Sequence, residues 1–170
     1  MKQLSLTENR FAHFSTDGVV RFSLYVQWND RLPTLIAIGL NPSVADEERD
    51  DPTIRRLKGF ARSWGYGQLV MLNLFALVST DPKQLKKVED PIGYQNTVDF
   101  MRSHIRNAGA TWALACWGAG AYPKILDRER QVYDGLRLKC LRLTLSGQPA
   151  HPLYLPGNLV PKPYNYKEES

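Results

Sequence analysis

Four short apolar runs constrain the fold of this chain more than any other feature of its sequence. They span Leu35 to Leu40, Leu69 to Leu74, Trp112 to Trp117 and Cys140 to Leu145. The first three runs are typical of strands that are covered on both faces, as in a parallel sheet, and the fourth, which contains Arg142 and Thr144, is also predicted to be a strand. Segments with helical spacing lie between them, so the sequence predicts strands and helices in alternation.

Three segments between these runs are predicted to be helical. The first begins at Asp51, a natural N-cap, with Pro52 at the first helical position. The second spans Tyr94 to Asn107 and the third spans Ala121 to Asp134, each with apolar residues at helical spacing. An alternating stretch from Val19 to Trp28 precedes them all and predicts a half-buried strand that is antiparallel or at an edge of the sheet.

The order of these elements predicts the fold class. We expect an α/β fold, a three-layer sandwich with a central four-stranded parallel sheet plus an N-terminal edge strand or hairpin. The chain has 170 residues, of which 43% are hydrophobic and 23% are charged. These values are ordinary for a globular protein and argue against disorder. We therefore expect a single domain over residues 1–170, with an irregular C-terminal tail from about residue 157.

The sequence also bears on compartment and partners. No apolar stretch is long enough to span a bilayer, and the first residues lack the apolar core of a signal peptide. Cys116 and Cys140 both lie inside apolar runs, which indicates buried thiols in a reducing compartment. We therefore predict a cytoplasmic monomer with no membrane partner.

No residue pattern indicates a metal site or another cofactor. His13, His104 and His151 are scattered along the chain and show no zinc-ligand spacing with the cysteines. An acidic cluster is present, but it lacks the central glycine and closing glutamate of a calcium loop, so we interpret it as a solvated loop with a helix cap. Its members are Asp46, Glu47, Glu48, Asp50 and Asp51.

The predicted fold selects candidate site residues, because ligands bind at the carboxyl ends of the strands in a parallel sheet. Four segments follow the four apolar runs: Asn41 to Ser43, Asn73 to Thr80, Trp117-Gly118 and Gly147 to Leu155. Each segment carries polar groups or glycines where a plain loop would not need them. We therefore expect these segments to form a site together.

Each candidate in these segments has a functional and a structural interpretation. Asn41 can position a water molecule or contact a ligand edge, or it can belong to an ordinary Asn-Pro turn. Asn73 interrupts an apolar run, so its amide binds a ligand or caps the backbone of a nearby loop. His151 suits charge stabilisation or proton transfer, or is structural. Leu153 and Tyr154 form an exposed wedge for a nucleic-acid stack or pack into the core.

Three longer segments carry a family resemblance. GLNPSVADEERDDPTIRRLKGFARSWGYG, LVMLNLFALVSTDP and SGQPAHPLYLP together resemble the family DUF1643 over residues 20–156. The same segments, in the same order, are similar to those of the uracil-DNA glycosylase superfamily. That similarity implies a four-stranded parallel sheet between helices, and an enzyme that hydrolyses the bond between a base and its sugar.

The resemblance implies a role for several residues. Gly39 to Ser43 resembles the water-positioning motif in the asparagine form of the mismatch-specific branch, which makes Asn41 the residue that holds the hydrolytic water. Leu72-Asn73 resembles the strand whose asparagine reads the edge of the flipped base. His151-Pro152-Leu153 resembles the loop whose histidine faces the base oxygen and whose leucine fills the gap in the duplex. Asn41 and His151 are then the catalytic residues.

Other residues complete the predicted site. Pro42 and Ser43 are expected to line the base pocket with Asn73, and Tyr66 or Phe75 to supply the aromatic ring that stacks on the base. A basic stripe on the first helix suits phosphate contacts, and the glycines after Trp117 allow backbone amides to face an anion. The predicted nucleic-acid contacts are Arg55, Lys58, Arg62, Gly118, Lys124, Leu153 and Tyr154.

The sequence thus favours a DNA-glycosylase-like hydrolase that cleaves the N-glycosidic bond of a modified or mismatched base, with DNA as the partner. Two alternatives remain open. Ser43, which stands where the mismatch-specific branch has glycine, is compatible with a non-catalytic module that binds a modified base or nucleotide. The formal net charge of only +5 is compatible with a hydrolase of a free nucleoside-like small molecule.

Overall fold

The computed structural model describes residues 8–43 and 49–166. In this part of the chain seven strands form one sheet in the order β1-β2-β4-β3-β5-β6-β7. The strands are β1 Asn9–Phe14, β2 Arg21–Gln27, β3 Thr34–Gly39, β4 Gln68–Asn73, β5 Ala113–Ala115, β6 Leu138–Cys140 and β7 Lys162–Pro163. The neighbours β4-β3, β3-β5 and β5-β6 run parallel, whereas β1-β2, β2-β4 and β6-β7 run antiparallel.

The predicted fold class, a three-layer sandwich with a central four-stranded parallel sheet plus an N-terminal edge strand or hairpin, is therefore wrong. The sheet is a single mixed sheet, and antiparallel strands extend it on both sides. On one side β2 pairs antiparallel with β4, and its apolar residues Phe22, Leu24 and Val26, which alternate along the strand and share one face, are buried. On the other side β7 pairs with β6 inside the segment predicted to be an irregular tail, where Tyr164 is buried.

Three α-helices occur in the described residues: α1 Pro52–Ser63, α2 Val98–Asn107 and α3 Arg128–Gly135. Asp51 caps α1 as predicted, because its Oδ1 accepts a hydrogen bond from the Ile54 amide at 2.8 Å. Helix α2 begins later than predicted, where Thr97 caps it. The third helix also begins later, since Leu126 and Asp127 have positive φ and interrupt the predicted span.

Two large apolar clusters cover the two faces of the sheet, and Val20, Phe22 and Ala76 form a smaller third cluster. On one face Leu57 and Phe60 of α1 pack against Leu69 and Met71 of β4, among others. On the other face α2 and α3 cover the remaining side chains of β3 and β4. This packing places the N-terminus of α1 beside the carboxyl ends of β3, β4 and β5, which is where the site described below lies.

Several other predictions concern single residues. Cys116 and Cys140 are buried free thiols, as predicted, and burial raises the pKa of Cys116 to about 12. Asp46, Glu47 and Glu48 of the acidic cluster lie outside the described residues. Among the described helices, none is long and apolar enough to cross a membrane.

Candidate functional site

A cavity of about 350 Å³ opens at the carboxyl ends of β3, β4 and β5. Asn41, Ser43, Asn73 and His151 all line it, together with Pro42. These residues come from three separate segments of the chain, and the sequence predicted that they meet. Trp117, from the predicted segment Trp117-Gly118, also lines the cavity, whereas Arg21 and Thr53 are residues of its wall that were not predicted.

The amide of Asn41 is fixed by backbone carbonyls. Its Nδ2 donates to the carbonyl oxygens of Leu77 at 3.2 Å and Ser79 at 2.9 Å, and lies 3.2 Å from that of Pro42. These bonds tie the end of β3 to the loop that follows β4. Because the amide nitrogen is engaged in this way, Oδ1 is the atom that Asn41 can offer to a ligand or a water.

Asn73 is the last residue of β4 and is only 3% exposed. Its Nδ2 is buried and has no hydrogen-bond partner among the residues that the structure describes. The side chain does not cap a neighbouring loop; instead Asn96 Nδ2 donates to the backbone carbonyl of Asn73 at 3.0 Å. Gly39 makes room for this side chain, since a Cβ there would lie 2.9 Å from Asn73 Oδ1 and 2.5 Å from the Met71 Cε.

His151 is held in one tautomer. Its Nδ1 accepts a hydrogen bond from the Leu153 amide at 3.2 Å, so the proton of the neutral ring is on Nε2. Nε2 lies 3.5 Å from Thr53 Oγ1. Burial lowers the pKa of His151 below its ordinary value, although the negative charge of Asp51 opposes this shift. A neutral ring with Nε2–H in the cavity wall is therefore the form favoured near neutral pH.

Ser43 binds the helix cap. Its Oγ donates to Asp51 Oδ2 at 2.5 Å, while Asp51 Oδ1 accepts from the Ile54 amide. Both carboxylate oxygens of Asp51 are thus engaged inside the protein. This arrangement fixes the end of the loop before α1 against the segment that carries Asn41.

The loop that carries His151 is anchored by Arg56, a residue that was not predicted. The Arg56 guanidinium donates to the carbonyl oxygens of Pro152, at 3.4 Å, and Leu155. The only sequence signal was its position on the helix that begins beside the predicted site. Gly118, with a φ of +85°, also supports the loop, because its amide donates to the Pro149 carbonyl at 2.9 Å.

Two side chains project from the His151 loop. Leu153 is 36% exposed and Tyr154 is 85% exposed, and the Tyr154 ring centroid lies 6.4 Å from that of His151. Leu155, in contrast, packs into the core on the α1 face. The exposed position beside the cavity is the one that the wedge interpretation of Leu153 and Tyr154 requires.

Arg21 is the most unexpected residue of the cavity. It is 2% exposed, at the start of β2, and lies on the antiparallel side of the sheet. Burial lowers its pKa, while the charge of Asp51 raises it and that of Arg10 lowers it. The available signal was a charged residue inside the alternating stretch that predicted a strand.

The family model for DUF1643 matches residues 21–153, from Arg21 to Leu153, and so includes every wall of the cavity. The chain belongs to DUF1643. The description of this family is "protein of unknown function". No curated protein and no solved structure matches the chain significantly. The similarity to uracil-DNA glycosylases therefore stays a prediction.

In this DUF1643 protein two predicted base-binding residues do not line the cavity. Tyr66 precedes β4, so the length of the strand separates it from Asn73, and it lines a different hollow with Pro33 and Trp112. Phe75 is fully buried in the core on the α2 and α3 face. Neither ring therefore borders the cavity that Asn41, Asn73 and His151 line.

Several predicted nucleic-acid contacts are engaged within the DUF1643 protein. Lys58 is buried and pairs with Glu8 at 2.5 Å and Asp50 at 2.8 Å. The Arg62 guanidinium lies 5.0 Å from the centroid of the Trp28 ring. The amide of Gly118 is bonded inside the protein, so it does not face an anion. Arg55 and Lys124 are exposed and do not line the cavity.

The ion pairs of Lys58 yield a prediction on stability. Lys58→Met is expected to lower the free energy of unfolding by about 1–3 kcal/mol at pH 7. This loss lies between the losses expected when an exposed and when a buried salt bridge is broken. The pKa of Asp50 is lowered, because hydrogen bonds from Lys58 and Arg10 outweigh the opposing effect of burial. Because its pKa is lower in the folded protein, the ionised Asp50 stabilises the fold at pH values above 3.8, the ordinary pKa of the carboxyl group. This stabilisation is lost as the pH falls through the lowered pKa.

The difference between Lys58→Met and the wild type is therefore expected to shrink at pH 3. Urea denaturation at both pH values measures it. Lys87→Met, which changes an exposed lysine, is the control and is expected to have little effect at either pH. An equal loss at pH 7 and pH 3 would mean that packing of the lysine stem, rather than its charge, stabilises the protein.

Proposed function

We propose that this DUF1643 protein hydrolyses the N-glycosidic bond of a modified or mismatched nucleobase in DNA. The observation that carries the proposal is the convergence of Asn41, Asn73 and His151 on one cavity. The three side chains offer different chemistry, namely an amide oxygen, an amide nitrogen and an imidazole N–H. That combination suits a reaction in which the protein must bind a base and also stabilise the negative charge that develops on the base as it leaves.

Cleavage of this bond passes through a transition state with a cationic sugar and an anionic base. The departing base needs hydrogen-bond donors aimed at the atom where its charge develops. His151 suits that role, because the bond from the Leu153 amide to Nδ1 leaves the proton on Nε2, in the cavity wall. The neutral ring is thus already a hydrogen-bond donor on Nε2, and no proton has to be taken up before it contacts the departing base.

The attacking water also needs to be held. Asn41 suits this role, because its Nδ2 is bound to the carbonyls of Leu77 and Ser79 and its Oδ1 can accept a hydrogen bond. Positioning of this kind lowers the barrier by removing the need to order the water in the transition state. Asn73 then contacts the base through its buried amide.

The surface around the cavity bears on the size of the substrate. The exposed side chains of Leu153 and Tyr154 beside His151 support a polymeric substrate, since such residues can fill the space left by an extruded base. A second candidate, hydrolysis of a free nucleoside, is favoured by the ion pairs of Lys58, which leave the first helix with less charge for phosphates.

The test is base release from single- and double-stranded oligonucleotides that carry uracil, mismatches or modified pyrimidines, with free nucleosides assayed in parallel. Asn41→Ala is expected to lower the rate on the best substrate by about 10²-fold, because the water is no longer positioned. Asn107→Ala, an exposed asparagine at the end of α2, is the matched control and is expected to leave the rate unchanged.

The bonds from Asn41 also hold the loop after β4, so the thermal stability of each variant has to be measured beside its rate. The proposal fails if no oligonucleotide or nucleoside releases a base with the wild-type protein. Release from nucleosides alone would support the second candidate. Stabilisation by a nucleotide without any turnover would indicate a binding module in place of an enzyme.

A further inference from the structure

The wall of the cavity contains one carboxylate, that of Asp51. No other aspartate or glutamate lines the cavity among the residues that the structure describes. Its Oδ2 accepts a hydrogen bond from Ser43 at 2.5 Å, and its Oδ1 accepts one from the Ile54 amide at 2.8 Å. Because a carboxylate has about four lone-pair sites, these two bonds fix the group and leave acceptor capacity for a ligand.

The capping of α1 does not require the charge of Asp51. Asparagine and serine cap a helix about as well as aspartate, and in this chain the hydroxyl of Thr97 caps α2. The negative charge of Asp51 also acts on two other residues of the cavity wall. It raises the pKa of Arg21 and opposes the lowering of the pKa of His151. The carboxylate therefore contributes to the electrostatics of the cavity in addition to its role as a cap.

The position of Asp51 in the cavity suits a contact with the sugar of a bound nucleotide. Asn73 is 3% exposed and forms the deep part of the cavity, whereas Asp51 is half-buried. Asp51 is bonded to Ser43 on one side of this outer part, and on the other side Thr53 Oγ1 lies 3.5 Å from His151 Nε2. A base that reaches Asn73 therefore leaves its sugar in the outer part, beside the carboxylate.

The proposed reaction creates a positive charge at this place. As the bond between base and sugar breaks, its electron pair leaves with the base, so the sugar carbon is cationic until the oxygen of a water molecule binds to it. One proton of that water finally neutralises the departed base. A carboxylate held beside the ring stabilises such a cation, as carboxylates do in the hydrolysis of glycosides. Arg21 also lines the cavity, but it is 2% exposed and has an interaction within the protein, so Asp51 is the more accessible of these two charges.

We propose that Asp51 is a further catalytic residue, whose carboxylate faces the sugar ring and favours positive charge on that ring. The inference rests on the proposed function in so far as the cavity holds a base together with its sugar. It deepens that function, because the other proposed catalytic residues act on the base and on the water, whereas Asp51 acts on the sugar.

The first test measures binding and needs no bond cleavage. Its probes are two rings of the same shape without a base: a tetrahydrofuran, which is neutral, and a pyrrolidine, whose protonated nitrogen is cationic. Each ring is supplied within a duplex oligonucleotide and as the free hydroxylated compound, and dissociation constants for the full chain are measured by calorimetry. The pyrrolidine is expected to bind more tightly than the tetrahydrofuran by about tenfold, the effect of one charge pair in a partly exposed site.

Two variants assign this preference to the carboxylate. Asp51→Asn and Asp51→Ser each keep a side chain that caps α1 but remove the charge, so we expect the ratio between the two probes to fall to near one in folded protein. Asp81→Asn is the matched control. Asp81 caps a short helical turn and is followed by a proline, as Asp51 is, but it is exposed and does not line the cavity. The control is expected to keep the wild-type ratio.

Two further measurements separate catalysis from capping. Asp51→Asn is expected to lower the rate of base release by about 10²-fold with little change in KM, because the sugar is cationic only in the transition state. NMR titration of the folded variant is expected to show a further lowering of the pKa of His151, since the charge that opposes this lowering is gone. A residue that only caps the helix would change neither quantity.

Several outcomes would overturn the inference. Equal binding of the two rings to the wild type, or no binding of either ring, would exclude a carboxylate that favours a cationic sugar. An unchanged ratio in either folded Asp51 variant, or an equal loss in Asp81→Asn, would show that the preference does not come from Asp51. If no base is released but the ratio holds and depends on Asp51, the proposed function fails alone. If bases are released by Asp51→Asn as fast as by the wild type, the inference fails alone.

Discussion

His151→Ala is expected to lower the rate of base release by about 10²–10³-fold, the usual cost of removing one donor from the site of developing negative charge. The reason is that Nε2–H is fixed in the cavity wall by the bond from the Leu153 amide to Nδ1. Single-turnover rates on the best oligonucleotide substrate measure the effect, because they separate bond cleavage from product release.

A control variant separates the donor from the loop. His151→Asn can still accept from the Leu153 amide and begin the turn Pro152–Tyr154, as an N-cap residue does, but its shorter side chain does not place an N–H where Nε2 lies. We expect the asparagine variant to be as slow as the alanine variant and closer to the wild type in thermal stability. A nearly wild-type rate for His151→Asn would contradict the role of the ring as a donor.

The rate is also expected to depend on pH in one direction. Burial lowers the pKa of His151, against the opposing charge of Asp51, so the folded ring is neutral over a wider range than a free histidine. The contribution of this neutral ring to the free energy of unfolding is present at pH values above 6.5, the ordinary pKa of histidine. It is lost as the pH falls through the lowered pKa of the folded protein. Protonation places a hydrogen on Nδ1 opposite the Leu153 amide, so we expect the rate to be flat above pH 6.5 and to decline in acid.

The sequence predicted the centre of the site because the relevant residues follow apolar strands directly. Asn41 comes two residues after β3 ends, Asn73 ends β4, and the side chains at the carboxyl ends of neighbouring parallel strands must lie close together. The same rule does not place aromatic residues that are merely close in sequence to these strand ends. Tyr66 stands only seven positions before Asn73, but β4 lies between them and carries them to opposite ends of the sheet.

The remaining residues depend on contacts that a local pattern cannot reveal. Lys58 belongs to a basic stripe in the sequence, and its pairing with Glu8 joins positions 50 residues apart. Arg21 reaches the cavity because β2 pairs antiparallel with β4, a pairing that the alternation of strands and helices did not indicate. The error in fold class has a wider origin, because antiparallel strands extend the sheet on both sides, β1 and β2 on one and β7 on the other.

Glu129→Ala is expected to lower the free energy of unfolding by about 3–5 kcal/mol, because it leaves several buried donors unpaired at about 1–3 kcal/mol each. Glu129 is 1% exposed at the start of α3. Its Oε1 accepts from Trp117 Nε1 at 2.8 Å and lies 3.4 Å from the Tyr164 hydroxyl, and its Oε2 accepts from Gln148 Nε2 at 3.1 Å. Denaturation in urea measures the loss.

These bonds also connect Glu129 to the cavity, because Trp117 lines it and Gln148 precedes the His151 loop. Glu129→Gln keeps an acceptor for Trp117 but turns a donor toward Gln148, so we expect a smaller loss of stability and a measurable loss of base release in the folded variant. Asp134→Ala is the control on the same helix, where an exposed side chain lies 3.5 Å from Arg130, and its expected effect is within about 0.5 kcal/mol. A loss for Glu129→Ala no larger than that of the control would show that the carboxylate does not organise this wall.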